Sequence, residues 1–210
     1  IVIRTHGLGI TRDIREKENL NIKYIEPEDD LGNILDFDNE LARRNLKLGY
    51  LDAKRVFKDE IRGHDYYIKI HRDMDYFLYL LMDIPDESIK RISHFLGFED
   101  MNPRRALFEV SLPRLVSFLD LEDKDDYIDI MLAVLEIKTK KVELDKLKIY
   151  DFDEFVRAIS KKYEPKKVND VNVPKFVKKS EILSKTIKDK IIDLVIAELF
   201  DNIINRRGEY

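Results

Sequence analysis

The chain has 210 residues, 44% of them hydrophobic, enough length and apolar content for one or two packed domains and too much for a globally disordered polypeptide. Its 38 basic and 42 acidic residues leave a formal charge of −4, which excludes the whole-molecule basic field of a DNA-coating protein. The absence of cysteine excludes disulfides, thiolate metal ligands and thiol nucleophiles.

Residues 1–25 alternate in the manner of strands. Ile1, Ile3 and Ile10 flank a glycine-containing turn at His6-Gly7-Leu8-Gly9, and Leu20 to Ile25 alternate with period two. An acidic loop follows at residues 26–32. Asp38 is a suitable N-cap for a helix over 39–62, with Leu41, Leu48, Leu51, Val56, Phe57 and Ile61 as its apolar stripe, Gly49 in its middle and Gly63 as its stop. Tyr66 to Ile70 reads as a short strand.

From residue 72 onward the pattern is helical. Helices are expected over 73–83, ended by Pro85, and over 86–97, ended by Gly97. A loop at Asn102-Pro103 precedes a short element over 112–121. The best-patterned internal helix spans 124–138 and buries Ile128, Met131, Leu132 and Leu135. Val142-Glu143-Leu144 and Leu147 to Tyr150 then alternate like the arms of a hairpin, and a helix runs from Asp151 to Lys162. Residues 164–179 hold two prolines and excess lysine, as a linker does. The last helix covers 180–206, between a Ser180 N-cap and Gly208.

The expected fold class is therefore α+β and predominantly α-helical, with small β elements near the N-terminus and a winged-helix unit in the middle. Its expected divisions are an α/β region over 1–70, a helical domain over 71–163, the linker over 164–179 and the C-terminal helix over 180–210. No apolar run is long enough to cross a bilayer and no signal-peptide pattern opens the chain, so a cytoplasmic protein with no membrane partner is expected. Abundant Lys, Glu and Ile without Cys also fit a thermophilic source.

Four sets of residues bear on function. His64, Asp65, His71, Asp73 and Asp75 combine imidazole with carboxylate, the donor set of a divalent-metal site in an enzyme acting on nucleotides or nucleic acid. Solvated loop residues are the competing reading. Asp36-Phe37-Asp38 matches the Asp-x-Asp pattern of nucleotidyl transfer, against which stands a loop with a helix cap. No catalytic residue and no resident cofactor is assigned. Arg104, Arg105, Lys138, Lys140 and Lys141 form two basic clusters; the second lies where the wing of a winged helix would contact DNA phosphates. In the last helix Ile187, Ile191, Leu194, Val195, Phe200 and Ile203 recur at helical spacing. That stripe must be covered by the chain's own body, by a second copy in a homodimer, or by another protein.

Residues 107–155 contain Val110-Ser111-Leu112 before a short helix, then Met131-Leu132-Ala133-Val134-Leu135-Glu136, then Lys141-Val142-Glu143-Leu144. This stretch resembles the C-terminal winged helix of kleisins, the subunits that bridge the heads of prokaryotic SMC chromosome-organising complexes. The element order over 73–162 is also similar to the helical part of the primase large subunit. Either resemblance implies a non-catalytic interaction subunit in DNA maintenance, whether chromosome organisation or replication.

Overall fold

The computed structural model describes residues 1–4, 21–27, 29–33, 38–98, 101–119, 121, 126–140, 142–162 and 185–207. These residues form a mostly helical α+β protein whose chain divides into two units. Unit 1 comprises residues 1–71 and 145–152, and unit 2 comprises residues 72–144 and 153–210.

Unit 1 contains the strands. β1 (Val2–Ile3) and β2 (Tyr24–Ile25) pair in parallel. α1 (Asn39–Phe57) starts where Asp38 accepts a hydrogen bond from the Glu40 amide at 2.8 Å, which satisfies one of the donors a helix start leaves open. It buries Leu48 and Leu51 and packs against β2 and the next strand, β3 (Ile61–Arg62). The helix is thus shorter than expected. It stops at Lys58 so that Ile61 enters a strand, and Gly63, at φ 100°, serves the turn to β4 (Tyr67–Lys69) instead of a helix end.

β3 and β4 are antiparallel, and the free edge of β4 takes β5 (Ile149–Asp151) in parallel, with Ile68 opposite Tyr150. The hairpin expected over 142–150 does not form, so this segment supplies no wing. A two-residue connection at Asp145-Lys146 lacks the glycine or asparagine that hairpin turns need for positive φ. Asp145 instead turns the chain by accepting from the Leu147 amide at 2.8 Å. Tyr150 is buried on the β4 edge.

Unit 2 is helical. Asp73 caps α2 (Met74–Met82), and α3 (Asp86–Phe95) ends at Leu96 before Gly97, which has φ 87°. Asn102 caps α4 (Pro103–Ala106) by accepting from the Arg104 and Arg105 amides, with proline where its missing N–H costs nothing. A π-helical turn over Leu107–Ser111, closed by Leu112 N–H donating to the Leu107 carbonyl, leads into α5 (Leu112–Phe118). Pro113 explains the widened turn. It has no N–H to give, and its ring displaces the carbonyl four residues back.

α6 (Tyr127–Thr139) begins with a reciprocal cap in which Asp126 and Asp129 each accept from the other's backbone amide. α7 (Phe152–Ser160) and α8 (Lys185–Arg207) complete the unit. α8 packs on α3, α5 and α6, and α2 on α6. Phe77, Ile89, Leu132, Phe155 and Phe200 are among its fully buried side chains. The expected linker over 164–179 and the Ser180 cap lie outside the described residues.

Candidate interaction surface

α1 carries two apolar faces, of which unit 1 uses one. Leu48 and Leu51 point inward. Leu46, Tyr50 and Phe57 remain 76%, 59% and 47% exposed. At about 100° per residue these three fall within roughly 40° of one another, so they make a continuous outer stripe. Ala42, Gly49 and Ala53 border it on one side. Arg43, Lys47 and Lys54 border it on the other. The Lys54 ammonium lies 5.0 Å from the Tyr50 ring centre, and Lys23 lies 5.1 Å from that of Phe57. Another exposed apolar set, Met74, Tyr79 and Met82 on α2, spreads over roughly 140° and forms no comparable stripe.

A buried polar cluster fixes how α1 is rotated. Asp52 projects inward from α1 and accepts from the Tyr67 hydroxyl at 2.7 Å and from Arg55 at 3.2 Å. Arg55 also donates to the carbonyls of Gly63 and His64, at 3.1 and 2.9 Å, and lies over the Tyr67 ring. Helix, turn and strand are thereby joined through one charge-assisted network. Burial, and then the hydrogen bond to Asp52 and its charge, push the Tyr67 phenol well above the ordinary tyrosine range.

The metal candidates do not gather. His64 and Asp65 are exposed in the β3–β4 turn, at the opposite end of β4 from His71. His71 pairs with Asp151 at 3.2 Å, both groups half exposed. The Asp73 carboxylate caps α2, accepting from the Tyr76 amide at 3.0 Å, and Asp75 is a first-turn acid of the same helix. Among the described residues no three His, Asp or Glu side chains form a group suited to a metal. Asp38 is a helix cap, while Asp36 and Phe37 lie outside the described residues.

The basic candidates are also dispersed. Arg105 forms a two-pronged pair with Glu109, both contacts at 2.9 Å. Arg104 meets Asp86 at 3.0 Å and the Met82 carbonyl at 2.6 Å. The Lys138 ammonium lies 5.8 Å from the Phe200 ring centre, Lys140 is exposed at the end of α6, and Lys141 lies outside the described residues.

The C-terminal stripe is not available to a partner. Ile191, Val195, Phe200 and Ile203 are buried, and Leu194 is partly buried; the Ile187 side chain lies outside the described part of α8. The physical reason is coverage from within, because α3, α5 and α6 pack on this helix. Glu198, also buried, meets Arg91 of α3 at 2.5 Å.

The expected stripe of α1 groups Phe57 with Leu48 and Leu51, although helical spacing sets it on the other side with Leu46 and Tyr50, and that grouping hides the outer stripe. Its signal is an apolar recurrence at spacings of four and seven, 46, 50 and 57, distinct from the 48 and 51 pair.

An open groove of about 710 Å³ between α5 and α6 is lined, among the described residues, by the apolar side chains of Phe108, Leu112, Val116, Tyr127 and Ile130. Among the described residues no helix is long and apolar enough to cross a membrane.

In comparisons with known proteins, the chain matches no family model, no curated protein and no solved structure.

Proposed function

We propose that this chain is a non-catalytic protein-interaction subunit and that its contact surface is the outer face of α1. The carrying observation is the exposed Leu46, Tyr50 and Phe57 stripe on a helix whose opposite face is already buried. Leaving such a stripe in water forgoes burial worth about 1.5–3 kcal/mol per large apolar side chain, which a docked protein would recover. The resemblance of residues 107–155 to kleisins, which are bridging subunits, is consistent with a role of this class in sequence only, since the wing that the resemblance implies does not form. With the primase likeness, it implies DNA maintenance as the setting.

The test is a photo-crosslinking amino acid placed at position 50 of the full chain in its source cells, with Lys90 on α3 as the control position. A discrete protein adduct at 50 and not at 90 is expected. Equal labelling at both positions, or none at 50, would refute the assignment.

A further inference from the structure

Resting on that reading, the geometry points to one kind of occupant for the outer face of α1: an amphipathic helix from another protein, its apolar stripe bordered by acidic residues. Three observations carry this. The first is shape. A straight apolar stripe over three turns matches the face of a second helix, which inserts its side chains between those of Leu46, Tyr50 and Phe57.

The second is Gly49. Glycine weakens a helix interior relative to alanine, and a methyl group added here meets, apart from the adjacent backbone of its own helix, no atom of the described residues within 4 Å. Nothing among the described residues requires a glycine at this position. With Ala42 and Ala53 it keeps one side of the stripe low, and this allows close approach of a second backbone.

The third is charge. Arg43, Lys47 and Lys54 line the other side of the stripe, with Lys23 beside Phe57; Glu40, in the first turn, is the acid on that flank of α1. The same column argues against a second copy packed antiparallel. Two α1 helices packed antiparallel about a two-fold axis bring equivalent flanks together, so the basic columns would face each other and repel.

The experiment uses the full chain and three synthetic helical peptides that share one leucine stripe and differ only at its borders, which are Glu, Gln or Lys. Binding is read by fluorescence anisotropy, and the site by backbone amide chemical shifts. The Glu-bordered peptide is expected to bind at least tenfold more tightly than the Lys-bordered one, with shifts concentrated on 42–57 and affinity falling as salt rises. The double substitution Lys47→Glu/Lys54→Glu should invert that preference.

Gly49→Leu, whose Cβ meets nothing among the described residues within 4 Å, should leave the circular dichroism spectrum unchanged and weaken binding at least tenfold. Equal binding of the three peptides, binding away from α1, an unchanged preference after charge reversal, or no binding by any peptide overturns the acidic-helix assignment. Light scattering that shows a dimer abolished by Leu46→Glu overturns it in favour of a second copy. None of these outcomes removes the interaction reading, which falls only with the crosslinking result at position 50.

Discussion

Replacing Tyr67 with phenylalanine removes one oxygen from the network that orients α1, and its cost can be worked from the geometry. The hydroxyl donates to the buried Asp52 carboxylate at 2.7 Å, while the ring beneath Arg55 is retained by the substitution. A hydrogen bond to a charged group contributes about 1.5–3 kcal/mol, and Asp52 would keep only its longer contact with Arg55 at 3.2 Å.

Tyr67→Phe is therefore expected to lose about 2 kcal/mol at about pH 7.5. The loss should also depend on pH. The folded state raises the Tyr67 pKa, so its contribution is whole below the ordinary tyrosine value and declines above it, where the unfolded chain ionises first. Between about pH 9 and 11 the wild-type advantage should shrink, by at most about 1.4 kcal/mol, because the variant has no phenol to titrate at this position.

Urea unfolding followed by far-ultraviolet circular dichroism at pH 7.5, 9, 10 and 11 measures both effects. Comparing the two proteins at each pH cancels the other titrations. A loss below about 0.5 kcal/mol at pH 7.5, or a gap that stays constant to pH 11, would refute the account of this cluster.

Phe200→Ala should cost about 3–5 kcal/mol in urea unfolding, since removing this fully buried ring of α8 leaves a cavity; a cost under about 1 kcal/mol would mean that α8 is not part of the core. Arg91→Ala should destabilise by about 1–2 kcal/mol by leaving the Glu198 carboxylate buried without its partner, and adding Glu198→Gln should recover part of that loss. Thermal denaturation of both variants gives the comparison, and full additivity of the two substitutions would count against a direct pair. Gly49→Ala should stabilise the isolated chain by about 0.5–1 kcal/mol, read as a higher melting temperature; no change would mean that the glycine already costs the helix nothing.

Local chemistry along the chain determined where several helices begin. Asp38, Asp73 and Asp126 cap helices because a carboxylate one residue before a helix meets its free amides whatever lies around it. Helical periodicity likewise disclosed the apolar residues of α3, α6 and α8.

Which surface covers which face is a different kind of fact. The stripe of α8 reads the same whether it meets a stranger or its own neighbours, and only the packing of α3, α5 and α6 on it decided the matter. Strand partners were equally hidden. Ile149–Asp151 alternate as a hairpin arm would, yet they pair with residues 67–69, some eighty positions earlier, where an open strand edge supplies their hydrogen bonds. The separation of His64 and His71, by contrast, was legible, because a strand over 66–70 puts them at its opposite ends.

The outer face of α1 is the clearest case. Periodicity shows that Leu46, Tyr50 and Phe57 share a side, but their exposure follows from the rotation set by Leu48, Leu51 and the Asp52–Tyr67 contact. Burial is a property of pairs of surfaces, so one-dimensional pattern defines the faces and tertiary contact chooses among them.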